Sequence, residues 1–577
     1  MPFISNQDIA RLIQDVSAAY QVKSEYKSDS TNKFRIQKLN EMASNIMNLD
    51  QDLYYNYSDE KIPGIGKNTI EYLHELFETG KVNHYEEVKS GLSDLFFELS
   101  RIITPKQSMK IINYFKVKDI SEVKELTEED LEDLFPTRLS QQIITDLHSD
   151  ISTKKLYLLP EMIDLSDELL EYIERDQSVI RCEVAGSIRR RKPIIKDIDI
   201  VVETLNLNKT RNHILKYSGI KEQNNEGKDW LMFKIKKNIS VDCRIVSQSS
   251  NEYISLLHHL TGSKFHNIHL RELAKRMGYS ISEHGILDKK NNLFKPRTEE
   301  EFFKFLKLKY IPPELREDSG YELSEELPKQ LIELKDLKGD LHIHSSYNIQ
   351  SSHDYGDSTI EDIAIKAYKL GYEYIGISDH NPKQSLTSDE MLEILKERKK
   401  IIDKAQNKIG IRIFNILEVD IRPDGTLAIA DEVLNYLDFC IVSIHSSFDM
   451  DVNKMTSRII KGLNHPKAKI LGHPLTRILP EVRGEILLNW DKLFKFCAAN
   501  NKYIEINSSP QRIDLPFNYV FEGLSYNCKY IINSDMHAIR SIDNVIWGIF
   551  NARRGWCEPR DIINTYDLYE FESIMKN

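Results

Sequence analysis

The spacing of apolar residues changes several times along this 577-residue chain. Up to about residue 155, leucine and isoleucine recur at helical intervals between polar turns, which predicts a series of short helices. Between residues 156 and 262, helical stretches alternate with apolar runs of strand length, which predicts a sheet backed by helices. After residue 338, strand-like apolar runs again alternate with helical ones, as is typical of a parallel β/α fold.

The chain is too long to bury around one core, so several domains are expected. Pro312 and Pro313 stop regular structure and mark a boundary. The following stretch, 318–337, is rich in Glu, Lys and Leu and predicts a linker with a short helix. The predicted divisions are 1–85, 86–155, 156–262, 263–317, the linker 318–337, and 338–577.

Two aspartates in an apolar run are the first candidate chemistry. Asp197 and Asp199 are separated by one residue, so they lie on one face of a predicted strand. A turn containing Gly186 and Ser187, followed by arginines, precedes this strand and suits a triphosphate. Carboxylates on one strand face can hold divalent metal against such a group. The alternative is an ordinary basic turn before a buried strand, although unpartnered buried aspartates are costly.

A third acid favours the metal interpretation. Asp242 lies within the strand-like run Ile239–Val246. Because adjacent strands lie about 4.8 Å apart, three carboxylates on neighbouring strands can bind two metals roughly 3.5–4 Å apart, as in nucleotidyl transfer.

These motifs, in this order, and the later Thr261-Gly262 turn resemble family X DNA polymerases of the polymerase beta kind. The resemblance implies that Asp197, Asp199 and Asp242 are catalytic and hold two Mg²⁺ ions. It also implies a nucleotide-binding set, in which the triphosphate, the sugar and the nascent base pair are contacted by Gly186, Ser187, Arg190, Thr261, Gly262, Asn267 and Arg271. Two positions depart from the family pattern, namely His259 before the Thr-Gly turn and Arg191 after the arginine pair.

The N-terminal region carries a candidate DNA contact. Gly64, Gly66 and Lys67 form a Gly-x-Gly turn entering a helix, whose backbone N–H groups can hold a DNA phosphate. This turn resembles the helix-hairpin-helix signature. In lyase-competent relatives a lysine on the next helix is the nucleophile, and Tyr72 stands at the matching position. We therefore expect no deoxyribose-phosphate lyase activity by that route. A second hairpin is expected around 101–106, without its glycines.

A second constellation opens at His342 and His344, which lie on one side of a predicted strand. Further histidines and acids follow apolar runs, which suggests a β/α barrel with a metal site at its C-terminal face. The set resembles the polymerase and histidinol phosphatase (PHP) domain. It implies up to three Mn²⁺ or Zn²⁺ ions, held by His342, His344, Asp354, His380, Glu418, His445, His473, Asp535 and His537. Asp354 lies in an apparent insertion and replaces a missing family ligand, with His353 as the alternative.

Composition changes this picture little. The chain is 41% hydrophobic and 29% charged, with a net charge of −11, so DNA affinity is expected to be local and salt-sensitive. Six scattered cysteines without a CxxC pair fit a reducing compartment. No bilayer-length apolar run and no signal-peptide pattern occur. We therefore expect a cytoplasmic monomer that does not bind membranes.

The expected fold is multidomain α+β and α/β. It comprises a helical helix-hairpin-helix region with a second helical DNA-binding domain, a nucleotidyltransferase palm with a mixed sheet, a small thumb and a C-terminal distorted β/α barrel. The expected function is a DNA-directed DNA polymerase that fills short gaps in base excision repair, using gapped or primed DNA and dNTPs. Its PHP domain would add 3′–5′ exonuclease and AP endonuclease activity. The alternatives are a PHP phosphoesterase or a DNA-binding scaffold with a weak or inactive polymerase half.

Overall fold

The computed structural model divides into two compact units, Met1–Lys155 and Leu156–Asn577. It describes residues 6–23, 35–36, 38–40, 42–43, 46, 67–135, 139–140, 143–144, 147, 156–317, 321–323, 327–480 and 483–576. Within these ranges, no helix combines the length and apolarity that crossing a bilayer requires.

The first unit is helical where it is described. Its helices pack around two apolar clusters, one containing Val16 and Phe96 and the other containing Leu99 and Ile111. The helix bounds are α1 Asn6–Val22, α2 Lys67–Thr79, α3 Asn83–Lys89, α4 Asp94–Ser100, α5 Pro105–Phe115, α6 Ile120–Lys124 and α7 Glu128–Glu132.

The candidate DNA contacts of this unit are only partly covered. Gly64 and Gly66 lie outside the described residues, and Lys67 is the first residue of α2. Tyr72 lies on α2 and stacks on His84 at a ring-centroid distance of 5.9 Å. At the second expected hairpin, a short turn joins α4 to α5, and Thr104 caps α5 through a capping box with Gln107. Arg101 in that turn pairs with Asp15 at 2.8 Å.

The second unit begins with a mixed five-stranded sheet of order β2-β4-β7-β6-β5. Its central strands β4 and β7 are parallel, and its other neighbours are antiparallel. Helix α8 packs on β2. The bounds are β1 Tyr157–Leu158, α8 Leu159–Glu174, β2 Val179–Val184, α9 Gly186–Arg189, β3 Ile194–Ile195, β4 Asp197–Thr204, α10 Leu207–Ile214, β5 Glu222–Glu226, β6 Trp230–Lys234 and β7 Ser240–Ser247.

A smaller subdomain follows, with an antiparallel sheet of order β10-β9-β8 packed near two helices. Helix α12 is capped at its start by Ser263, whose side chain accepts from His266, and ends at Gly278 with φ +85°. The bounds are α11 Tyr253–Thr261, α12 Lys264–Met277, β8 Ser280–Ser282, β9 Gly285–Leu287, β10 Leu293–Phe294 and α13 Glu299–Phe305.

The C-terminal part contains two parallel sheets, of order β11-β12-β13 and β14-β15-β16-β17-β18. Isolated parallel bridges join the two sheets, one from Ile343 on β11 to Met536 after β18, and one from His380 after β12 to Glu418 on β14. The parallel strands therefore follow one another around a ring, as a β/α barrel requires. The strands are β11 Gly339–Ile343, β12 Tyr374–Ile377, β13 Arg412–Asn415, β14 Leu417–Asp420, β15 Cys440–Ser443, β16 Ala468–Leu471, β17 Tyr503–Asn507 and β18 Tyr530–Asn533.

Helices connect these strands and cover the ring. The longest, α15, starts with a capping box between Thr387 and Glu390 and ends at Gly410, whose φ is +82°. The bounds are α14 Ile360–Lys369, α15 Ser388–Ile409, α16 Asp431–Tyr436, α17 Val452–Leu463, α18 Trp490–Ala499, α19 Phe517–Leu524, α20 Val545–Arg554 and α21 Leu568–Lys576.

The C-terminal part packs directly on the smaller subdomain and the mixed sheet. Trp556, which follows α20, belongs to the same apolar cluster as Phe302 and Leu331. The guanidinium of Arg191 lies 4.6 Å from the Phe550 ring centre, a cation–π contact. Leu331, within the stretch predicted as a linker, is therefore held in a core rather than exposed.

Truncating Trp556 tests this shared core. We expect Trp556→Ala to destabilise the second unit by about 3–5 kcal/mol, because a large buried ring leaves a cavity. Trp556 is 8% exposed, whereas Tyr569 is 85% exposed, so Tyr569→Ala is the matched control. Thermal unfolding followed by circular dichroism measures both. A Trp556→Ala protein as stable as the control would contradict the packing.

Candidate functional sites

The three aspartates of the mixed sheet meet on one face. In the parallel pairing of β4 with β7, Asp199 stands directly opposite Asp242, and Asp197 lies one pleat earlier on the same face of β4. Asp242 accepts hydrogen bonds from Trp230 Nε1 at 2.8 Å and from Arg244 Nε at 3.1 Å. The structure thus brings the predicted triad together.

Gly186 sits against this triad. Its φ is +55°, and a Cβ there would lie 1.8 Å from Asp199 Oδ2. A side chain is excluded on both grounds, because it would strain the backbone and displace the carboxylate. Ser187 follows on α9 and is half-buried. The predicted turn is therefore fixed by its closeness to Asp199.

Arg190 reaches the Thr261–Gly262 turn, so these members of the predicted nucleotide-binding set lie together in the structure. Its Nη1 donates to the Thr261 carbonyl, and its Nε donates to Glu317 at 2.9 Å. The neighbouring Arg189 bonds the Thr261 hydroxyl at 2.8 Å and pairs with Glu299 at 2.7 Å. Both arginines are thus already paired in this structure.

Asn267 and Arg271 both contact His259. Asn267 Nδ2 donates to the His259 carbonyl at 2.8 Å, and Arg271 Nη2 lies 3.0 Å from His259 Nδ1. Burial, reinforced by the charge of Arg271, lowers the pKa of His259, so its ring is the neutral acceptor in this pair. His259, which departs from the family pattern, therefore positions the Arg271 side chain.

Electrostatics favour a cation at the triad. Burial, together with the charges of Asp197 and Asp242, raises the pKa of Asp199 to about 7. Arg190 and Arg244 oppose this shift only in part. Three carboxylates held this close repel one another, and divalent ions are the ordinary means of relieving such repulsion. The donor set fits the Mg²⁺ sites implied by the sequence.

The second constellation collects at the C-terminal ends of the parallel strands. Glu418 on β14 lies at its centre and is fully buried. His342 lies on β11 and His344 directly follows it. The other ligand candidates follow β12, β15, β16 and β18, namely His380, His445, His473, Asp535 and His537. All nine predicted ligands, Asp354 included, fall in this cluster.

The two oxygens of Glu418 face different histidines. Oε1 lies 2.8 Å from His473 Nε2 and 3.2 Å from His445 Nε2. Oε2 lies 3.3 Å from His342 Nε2 and 3.6 Å from His344 Nε2. Two ligands bound to one ion at about 2.1 Å are separated by about 3.0–3.4 Å, so this spacing suits a carboxylate bridging two ions.

Unsatisfied polar atoms support the same interpretation. An unpaired buried polar atom costs about 1–3 kcal/mol. Atoms without a hydrogen bond of acceptable geometry include both ring nitrogens of His344, Nε2 of His342 and His537, Nδ1 of His380 and His473, and Oε2 of Glu418. These residues fit a metal centre, because ions would use one nitrogen lone pair of each ring and the carboxylate oxygen. Histidine and carboxylate together suit Mn²⁺ or Zn²⁺.

Asp354 occupies the place expected for the missing ligand. Its oxygens lie 3.2 Å from His380 Nε2 and 3.5 Å from His537 Nε2. His353, the alternative, points elsewhere, with its Nε2 3.1 Å from both oxygens of Asp420. The geometry thus favours Asp354 for the His380 and His537 position.

Three further residues were not predicted from the sequence. Glu505 on β17 lies 2.7 Å from His342 Nδ1, and Asp420 lies 2.6 Å from His445 Nδ1, so each orients a ligand through its second nitrogen. Arg512 Nε lies 3.4 Å from Asp535 Oδ2, and its Nη1 is buried without a hydrogen-bond partner. A charged residue within the apolar run Tyr503–Asn507 was the available signal for Glu505.

Charge compensation keeps Glu418 ionised. Burial alone would raise the pKa of Glu418, but His445, His342 and His380 together hold it well below its usual range. Burial likewise opposes a charge on His342, whereas Glu505, Asp535 and Glu418 raise its pKa well above the usual value. The centre is thus a balanced network of acids and imidazoles.

The fold and both sites define a class of protein in which a mixed sheet carrying three aspartates is joined to a parallel β/α ring carrying a histidine-rich centre. Comparison with known families agrees. The DNA polymerase beta thumb matches residues 256–317, and the PHP domain matches residues 340–509. The chain therefore combines a thumb of the DNA polymerase beta kind with a PHP domain, and the resemblance inferred from the sequence is confirmed to that extent.

Individual relatives repeat this division. The DNA polymerase/3′-5′ exonuclease PolX of Bacillus subtilis is 28% identical over 580 residues, covering 99% of each chain. A probable phosphatase of Thermoanaerobacter sp. (strain X514) is 32% identical over 174 residues, covering 30% of this chain and 64% of its own. A probable phosphatase of Acetivibrio thermocellus is 27% identical over 176 residues, 29% of this chain and 64% of its own.

The raised pKa of Asp199 predicts a pH-dependent stability. The folded-state pKa of about 7 exceeds the ordinary 3.8, so in chelator the wild type loses stability as pH rises from 3.8 to 7. We expect Asp199→Asn to be more stable than wild type by at least about 1 kcal/mol at pH 8, with a smaller gain at pH 4.5.

Thermal unfolding in EDTA at the two pH values measures this difference. Asp164→Asn, at an exposed aspartate on α8, is the control. Added Mg²⁺ at pH 8 should stabilise the wild type more than Asp199→Asn. An equal gain from Asp199→Asn at both pH values would contradict the assignment.

Proposed function

We propose that this protein is a DNA-directed DNA polymerase that fills short gaps and carries a metal-dependent 3′–5′ exonuclease in its PHP domain. The observation that carries the polymerase proposal is the parallel register that sets Asp199 opposite Asp242, with Gly186 in contact with Asp199. The exonuclease proposal is supported by the separate centre around Glu418.

At the polymerase site, Asp197, Asp199 and Asp242 would hold two Mg²⁺ ions. When bound, these ions would supply positive charge to activate the primer 3′ hydroxyl and to neutralise the departing pyrophosphate. Ser187 and Arg190 bind the triphosphate of the incoming dNTP, and Gly186 leaves the space that the Asp199 carboxylate and a phosphate need. Thr261 and Gly262 lie beside the sugar.

Arg190 must change partner to act in this way. Its guanidinium is paired with Glu317, whose carboxylate also lies 3.3 Å from Arg554. A triphosphate offers more negative charge than one carboxylate, so it can displace Glu317 from Arg190. Arg554 keeps Glu317 paired after the exchange, which lowers the cost of the displacement.

At the exonuclease site, the nine ligands hold up to three Mn²⁺ or Zn²⁺ ions. Such a centre supplies a water of lowered pKa for attack on a phosphodiester. Arg512, with its unpartnered Nη1 beside Asp535, is placed to hold the phosphate oxygens. Glu505 and Asp420 fix the orientation of His342 and His445.

Several finer features belong to the same proposal. Gapped or primed DNA is gripped through the helix-hairpin-helix turn that includes Lys67, and Tyr72 leaves no lyase nucleophile at its position. The two activities serve base excision repair in the cytoplasm, with AP endonuclease cleavage at the PHP centre. Both sites lie in one chain, and the proposed working unit is a monomer.

A second candidate function is phosphomonoester hydrolysis by the PHP centre. The similarity to probable phosphatases covers about 30% of the chain. It leaves the aspartate triad unexplained, so we rank it below the two-activity enzyme.

Loss of a triad carboxylate tests the polymerase. We expect Asp197→Ala to lower extension of a primer across a one-nucleotide gap by about 100-fold or more, because removing a metal ligand costs several kcal/mol of charge stabilisation. Single dNTPs with Mg²⁺ or Mn²⁺ are the substrates. Asp164→Asn should extend like wild type, and undiminished extension by Asp197→Ala would end the polymerase proposal.

Loss of a PHP ligand tests the separation of the two activities. We expect His342→Ala to abolish shortening of a 3′-labelled strand while gap filling survives, because His342 belongs only to the Glu418 centre. His465→Ala, in the same unit but outside the centre, is the control. Loss of both activities in a folded His342→Ala protein would contradict the two-site division. Phosphate release from p-nitrophenyl phosphate without strand shortening would favour the phosphatase.

A further inference from the structure

A cluster of positive side chains lies where α20 meets the turn that follows α9. Phe550 and Arg554 are four residues apart, so they share one face of α20. Phe550 packs against the apolar core of the mixed sheet and lies under the Arg191 guanidinium. Arg554 follows one helical turn later and lies 3.3 Å from Glu317. The C-terminal part therefore places a cation beside the turn that carries Arg190.

Three cations of this cluster face one carboxylate. Arg190 Nε donates to Glu317 Oε1 at 2.9 Å, and Arg554 Nη2 lies 3.3 Å from the same oxygen. The charge of Glu317 also acts on Lys192. Among the described residues, neither arginine has a second carboxylate within ion-pair distance, and the Lys192 ammonium has none. Three positive charges therefore share one negative charge.

Burial makes this imbalance costly. The Arg554 side chain is 1% exposed, and within the described part of the chain its Nε and Nη2 lack a hydrogen bond of acceptable geometry. Burial lowers the pKa of Lys192, and the charges of Arg554 and Arg190 lower it further against the opposing charge of Glu317. Buried cations without enough negative charge are expensive, so the cluster favours a further anion.

The position of Lys192 indicates which anion this is. Its backbone amide donates to the Ser187 carbonyl at 3.0 Å, so both residues belong to one folded turn. Ser187 and Arg190 are the proposed triphosphate ligands, and Gly186 of the same turn lies against Asp199. A lysine carries a compact charge on a flexible stem, which suits a phosphate oxygen. The anion that the proposed reaction brings to this turn is the nucleotide's polyphosphate.

We propose that Lys192 is a further phosphate ligand of the polymerase site, which together with Arg190 holds the outer phosphates of the dNTP and then the departing pyrophosphate. Arg554 is a positioning residue supplied by the C-terminal part, because it retains Glu317 when the phosphates displace that carboxylate from Arg190. Glu317 and the phosphates therefore compete for the same cations. The inference rests on the proposed polymerase function.

Binding of inorganic pyrophosphate tests the site without catalysis. We expect Lys192→Gln to weaken binding by about 10-fold or more, because a charged hydrogen-bond donor is lost. Glu317→Gln should strengthen binding, because it removes the competing carboxylate. Lys192→Arg should retain binding, and Lys216→Gln, at an exposed lysine of the same part, is the control. Isothermal titration calorimetry of the full-length protein at low ionic strength, in EDTA to prevent bridging by divalent ions, measures all four.

Gap filling provides the second readout. We expect Arg554→Met to raise the KM for the dNTP by about fivefold or more at unchanged KM for gapped DNA, because Glu317 then holds Arg190 more firmly. Adding Glu317→Gln should reverse this effect, as should Arg554→Lys in place of Arg554→Met.

The outcomes separate this inference from the proposed function. Equal pyrophosphate affinity in wild type, Lys192→Gln and Glu317→Gln would overturn the inference, while gap filling by the wild type would leave the polymerase proposal standing. A wild-type protein that does not extend the primer would overturn both.

Discussion

The C-terminal part of this protein depends on one buried carboxylate. Glu418 is in the interior of the strand ring, where an isolated charge would cost several kcal/mol. The cost is offset because histidines from neighbouring strand ends face both of its oxygens. The strands must keep their register for these contacts to exist, so the chemistry of the site and the closure of the ring constrain each other.

Short sequence patterns correctly predicted the features of the fold that depend on neighbouring residues. The i, i+2 spacing placed Asp197 and Asp199 on one strand face, and strand adjacency brought in Asp242, as the pairing shows. The histidines and acids that follow apolar runs likewise indicated which strand ends carry the metal-ligand candidates. By contrast, Asp420 at the end of β14 and Arg512 in a loop act through neighbours distant in the chain, which no local pattern identifies.

Pairing between distant segments also explains where the expectations were too coarse. Arg190 is predicted to bind the nucleotide, and its pairing with Glu317, 127 residues later, is a contact that no local pattern indicates. The segment 318–337 is polar in composition, yet Leu331 and Ile332 within it are buried. Composition gives only the average polarity of a segment. Two buried apolar side chains are enough to hold the segment against the core. Long-range partners of this kind follow from the folded structure only.

Trp556 has a consequence for how such a chain can change over time. The Trp556 ring completes the core of the small subdomain that precedes the C-terminal part. If the gene were divided between these two parts, each would expose apolar side chains that are now buried. A lineage that lost the PHP part would have to cover the exposed apolar patch with new polar residues. Recombination is therefore expected to transmit the two catalytic parts together, even where only one of the chemistries is under selection.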